Sequence, residues 1–190
     1  GAGDLTLEVR GTTPGLEQEL LALFDAGDSL PPRVLGKLNL VTYNPVRYNL
    51  KIVQVNGARL PAGLDAAVIS ESLNNIYRQA IVEWTVTAAS DLDVVLDETL
   101  DEEQAGLFSN YTGDMKKVLN AFGAFRDDTY YLFVVDEPRN ESTLGYMPRN
   151  KQAGFIFSGP HHGNAQEFLK TIAHELGHGA FNLKHTFSEH

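Results

Sequence analysis

Thr129-Tyr130-Tyr131-Leu132-Phe133-Val134-Val135-Asp136 is the most β-like run in a chain of 190 residues. Its apolar side chains occur at both alternating parities. A strand with only one covered face would alternate with polar residues, so this one is predicted to lie in the middle of a sheet with both faces covered. Working upstream, Thr112 to Arg126 reads as a helix and Ile81 to Ala88 as a strand. Gly63 to Ala80 reads as a helix, because Val68, Leu73, Ile76, Tyr77 and Ala80 approximate a 3.6-residue period. Tyr48 to Val55 and Leu38 to Tyr43 read as strands, separated by an Asn44-Pro45 turn. Downstream, Glu137 to Lys151 is a polar loop with two prolines, Ala153 to Ser158 is a short strand, and Asn164 opens the last helix. From Tyr48 onward the order is strand, helix, strand, helix, strand, strand, helix. It predicts an α/β arrangement with a mixed, mainly parallel sheet and one short strand near its edge.

Residues 1–33 read as an N-terminal appendage to a domain over 34–190. The appendage holds a strand from Leu5 to Val9, a turn at Thr13-Pro14-Gly15 and a short helix from Leu16 to Phe24. Asp28-Ser29-Leu30-Pro31-Pro32 then breaks the pattern. The whole is ordinary globular material, 43% hydrophobic and 21% charged. A net charge of −10 repels nucleic acid and an anionic membrane surface, so neither is an expected partner. No apolar run approaches the roughly 20 residues that span a bilayer. The chain has no cysteine, so any metal must sit on His, Asp or Glu.

The chemistry concentrates in Asn164-Ala165-Gln166-Glu167-Phe168-Leu169-Lys170-Thr171-Ile172-Ala173-His174-Glu175-Leu176-Gly177-His178. Asn164 and Glu167 form a capping-box-like start. At about 100° per residue, Leu169, Ile172, Ala173, Leu176 and Ala180 fall on one face, roughly opposite His174 and His178. Histidines one turn apart can converge on one tetrahedral zinc. Glu175 lies beside them, too close in sequence to share the same coordination plane. It is instead placed as a general base toward a zinc-activated water, returning the proton to a leaving amine. His-Glu-x-x-His on a helix is the pattern of a zinc peptidase.

The segment resembles the zincin superfamily and, within it, the metzincins, whose signature is His-Glu-x-x-His-x-x-Gly-x-x-His. Here His174-Glu175-Leu176-Gly177-His178-Gly179-Ala180-Phe181-Asn182-Leu183-Lys184-His185 brings the last histidine one residue later, with Asn182 where the glycine would stand. Asparagine is the non-glycine residue that best tolerates a left-handed turn. The expectation is one extra helical residue, a turn at Asn182, and His185 as third zinc ligand, with Glu189 and His190 as alternatives. Residues 37–185 follow the order of the metzincin N-terminal half. By that likeness Ala153, Gly154, Phe155 and Ile156 belong to an edge strand that pairs with an extended peptide substrate.

The resemblance implies a zinc-dependent endopeptidase in an extracellular or periplasmic setting. It also implies a second subdomain bearing a methionine turn, which neither Met115 nor Met147 is placed to supply, so the chain reads as the N-terminal half of such a catalytic domain. The alternative is a non-catalytic zinc-binding interaction module of a larger surface protein. Three other features read more plainly. His161-His162 is a solvent-exposed loop pair rather than a second metal site. The acidic run over 91–103 is a solvated loop without the spacing of a calcium-binding loop. Asp4 has only its position to suggest a latency role.

Overall fold

A computed structural model describes residues 6–25, 27, 31–96, 111–136 and 142–185. The chain divides into two compact units, Gly1–Val46 and Arg47–His190.

The first unit contains a hairpin. Strand β1 (Glu17–Phe24) pairs antiparallel with β2 (Arg33–Val41), from Glu17 opposite Val41 to Phe24 opposite Arg33, with an irregularity between Ala22 and Leu23. The helix expected over Leu16 to Phe24 is therefore a strand. Its leucines and glutamates favour helix locally, but Arg33 to Val41 offers a complementary ladder, with Leu20 opposite Leu38 and Glu19 bound to Lys37. Cross-strand pairing outweighs a propensity of a few tenths of a kcal/mol per residue. The strand expected at Leu38 to Tyr43 likewise belongs to this hairpin and not to the main sheet. Residues 6–9 form no regular element, and Leu5 and Asp4 lie outside the described residues.

The second unit contains β3 (Val46–Gln54), α1 (Ala66–Tyr77), β4 (Val82–Ala88), α2 (Gly113–Phe122), β5 (Thr129–Val135), β6 (Gly145–Tyr146), β7 (Ala153–Phe157) and α3 (Ala165–Phe181). The five strands order as β4-β3-β5-β7-β6. β5 is parallel to β3 and β7, and only β6 is shown antiparallel to its neighbour. Thr129 to Val135 is thus the central strand, and its alternation splits the core in two. Leu132 and Val134 join Ile69, Leu73, Phe168, Ile172 and Leu176 beneath α1 and α3. Tyr131, Phe133 and Val135 join Met115 and Val118 on the α2 side. Each such fully buried side chain contributes about 1.5–3 kcal/mol.

The helices begin where short polar side chains cap them. Asp65 accepts the Val68 N–H, Thr112 that of Met115 and Asn164 that of Glu167. α2 stops at Phe122, short of Arg126, because Gly123 turns left-handed at φ 57°.

One strand position differs from the sequence reading. Ala153 to Ile156 is not an edge. β7 lies between β5 and β6, and all five of its residues are buried. The edge is β6, where Gly145 faces Ile156 and Tyr146 faces Phe155. Thr143-Leu144-Gly145-Tyr146-Met147 is a short apolar run inside a loop rich in Pro, Arg and Asn. Its neighbours hid it.

Candidate metal centre

Helix α3 carries His174 and His178 one turn apart. It ends at Asn182, which adopts φ 55° and ψ 27°. The Asn182 N–H reaches both Gly177 and His178 carbonyls, and the Leu183 N–H also bonds Gly177 O at 3.1 Å. This wide last turn absorbs the extra residue and sends the chain back toward the helix. His185 arrives beside the other two rings, with centroids 5.0 Å from His174 and 4.5 Å from His178.

The three imidazoles offer nitrogens that all lie within 4.8 Å of one another. Nε2 of His174 and Nε2 of His178 are 3.0 Å apart. Two nitrogens on a tetrahedral zinc stand about 3.3 Å apart, given bonds of about 2.0–2.1 Å, so this pair is within a few tenths of that spacing. Nδ1 of His178 lies 2.7 Å from the Leu183 carbonyl. A carbonyl can only accept, so Nδ1 is the donor there, which leaves Nε2 as the nitrogen that can offer a lone pair to the centre of the cluster. The pKa of His174 is lowered, first by burial and then by the charges of His178 and His185. A ring held neutral is a ring available to a cation. Three imidazole nitrogens without a thiolate suit a divalent transition metal such as zinc, copper, iron or nickel.

Glu175 is 6% exposed and lines the same cavity as the three histidines. Burial pushes its pKa up to about 8, while the Met147 backbone N–H donates to the carboxylate and pulls the other way. The edge strand comes very close. A Cβ on Gly145 would sit 2.9 Å from Glu175 Cγ and 3.0 Å from its Oε1. A Cβ on Gly179 would meet Lys151 O at 2.8 Å and strike Met147. Only glycine allows β6 and its following loop to pack onto α3 there.

The two-sided helix expected from the 3.6-residue period is therefore covered on both sides. Ile172 and Leu176 face the core as expected. Thr171, Glu175, His178 and Gly179 are buried too, against β6 and the Pro148–Lys151 turn, and Gly177 is buried beside Leu183 and Tyr77. Asn150 N–H bonds His178 O at 3.3 Å. Gly145, Met147 and the Leu183 carbonyl are the site groups that sequence reasoning missed. A glycine within an apolar run opposite the His-Glu-x-x-His segment was the only signal for the first two.

A cavity of about 930 Å³ opens between β6 and α3, and Gly145, Met147, Lys170, His174, Glu175 and His185 are among its walls. A second, of about 980 Å³, lies between the end of α1 and α3, with Tyr77, Ala173 and the same three histidines. The histidine cluster forms a wall common to both.

The other candidates resolve separately. His161 is buried, contrary to the exposed loop expected. Its Nδ1 lies 2.6 Å from Phe157 O and its Nε2 2.9 Å from Thr171 Oγ1, tying β7 to α3. His162 is exposed. Among the described residues, one group of three could hold a metal, and His161 is not in it. Asp91 is bound to Arg59 at 2.7 Å. Residues 97–103, Glu189 and His190 lie outside the described residues. Ala153 to Ile156 sits one strand away from the cavity wall, behind β6. No described helix is long and apolar enough to cross a membrane. No protein-family model and no curated protein sequence matches this chain.

Proposed function

We propose that the second unit is a zinc-dependent peptidase in which His174, His178 and His185 hold the metal and Glu175 is the general base. The observation that carries this reading is the convergence of three imidazole nitrogens beside an open cavity, with a buried carboxylate on the residue following the first ligand. When bound, zinc acidifies a water and polarises a carbonyl, so that hydrolysis proceeds near neutral pH.

The chain's own residues supply the rest. His178 is oriented by Leu183, which fixes its tautomer. A nearby dication favours the ionised form of Glu175, offsetting the burial that keeps the metal-free group protonated. The Met147 N–H holds one side of the carboxylate. Ionised, Glu175 can take a proton from water and pass it to the leaving amine. The edge strand β6 lies along the cavity, so an extended peptide would pair with Gly145 and Tyr146 and not with Ala153 to Ile156.

The rival reading is a zinc-stabilised interaction module. A purely structural zinc takes four protein ligands. Among the described residues the cluster has three, and a cavity faces it. Substituting Glu175→Gln separates the readings. The variant is expected to keep one zinc per chain and to lose about 10²–10⁴-fold in peptide cleavage, whereas His174→Ala loses both. Cleavage at the wild-type rate in Glu175→Gln would overturn the assignment.

A further inference from the structure

The cleft beside the histidines differs in charge from the chain around it. The protein as a whole carries −10. Yet among the described residues three cations, Arg149, Lys170 and Lys184, line the cavity between β6 and α3, against two acids, Glu167 and Glu175. Glu175 is buried and assigned to the chemistry, so among the described residues Glu167, at the N-terminal end of α3, is the single exposed acid in that wall.

Two of the cations stand at opposite ends of the reacting groups. Lys170 is one helical turn before His174, exposed, and shared by both cavities. Arg149 is exposed and precedes Asn150, whose N–H bonds His178 O at the other end of the helix. A peptide laid along β6 would thus pass one cation on each side of the bond beside Glu175. We propose, building on the peptidase reading, that this cleft selects peptides with acidic side chains on both sides of the scissile bond, read by Lys170 and Arg149.

The negative charge of the whole molecule does not override this preference. Exposed charges more than about 8 Å away are screened at physiological ionic strength, so the nearest groups decide. A basic peptide is drawn to the general surface and repelled at the cleft. An acidic one behaves in the opposite way.

Two labelled octapeptides of Ala and Gly test this, one with Glu and one with Lys at the positions flanking the central bond. Zinc-loaded Glu175→Gln protein reads binding by fluorescence anisotropy, and the wild type reads cleavage. The Glu peptide is expected to bind about threefold to tenfold more tightly than the Lys peptide, the scale of two exposed ion pairs. The double variant Lys170→Glu/Arg149→Glu should reverse that order, and raised salt should flatten it. Equal binding of the two peptides, or an order unchanged in the double variant, overturns the inference whether or not cleavage occurs. Selective binding by Glu175→Gln protein with no cleavage of either peptide by the wild type would leave the charge selection standing and remove the peptidase reading.

Discussion

Glu175 is the residue whose surroundings conflict most with its chemistry. Its pKa is pushed up to about 8 by burial, from an ordinary 4.5. Without metal, the folded protein holds a proton that the unfolded chain releases near its ordinary value. A group with a raised folded pKa contributes stability that is whole below the unfolded pKa and disappears as pH rises through the folded one. Metal-free wild type should therefore lose stability between about pH 5 and pH 8. Glu175→Gln, similar in shape and unable to ionise, should lack that component. His174 acts in the opposite sense, since its pKa is lowered and its contribution weakens as pH falls, but both proteins share it, so it cancels in the comparison. Denaturant midpoints of chelator-treated protein at about pH 5.5 and pH 8 should show wild type losing on the order of 2 kcal/mol relative to the variant. Parallel pH profiles would mean that the Glu175 carboxyl is solvated.

Helix α3 and its exit turn hold most of what the sequence revealed. Asn164 as cap, Ile172 and Leu176 as core, and Asn182 as the left-handed residue were all legible, because each rests on local chemistry: a side-chain acceptor, a period, a tolerated φ. The pairing of β6 with β7 and the burial of His161 were not. Both depend on partners far away in sequence, and a two-residue strand has no period to detect. The same limit explains the hairpin residues misread as a helix. The wide turn at Asn182 links backbone conformation to the metal, since Leu183 O orients His178 and the following residues bring His185 inward. A β-branched residue in that conformation costs about 1–2 kcal/mol. Asn182→Val should bind zinc about 10–100-fold more weakly, the usual effect of disturbing a partner behind the ligands. Asn182→Gly should stay close to wild type. Chelator competition measures both, and wild-type affinity in Asn182→Val would show that His185 reaches the cluster without this turn.

The proposed centre and both halves of the core belong to one unit, so the site should survive without the hairpin. Every residue of β1 is exposed, and β2 has only one residue of intermediate burial. A two-stranded ribbon of this kind is marginal by itself. The second unit has helices over both faces of its sheet and, among the described residues, supplies the buried hydrophobic side chains that surround α3. Ligand binding to the folded state stabilises it by RT ln(1 + [L]/Kd), about 4 kcal/mol at a thousandfold excess over Kd. That term depends on the site alone. A chain starting at Val46 should therefore show the same zinc-induced rise in unfolding free energy as the full chain, even if its baseline stability differs. Calorimetry of the two proteins with zinc and with chelator separates baseline from increment. An increment that vanished in the shorter chain would place part of the metal's support in residues 1–45, and the unit from Arg47 onward could no longer be regarded as self-sufficient.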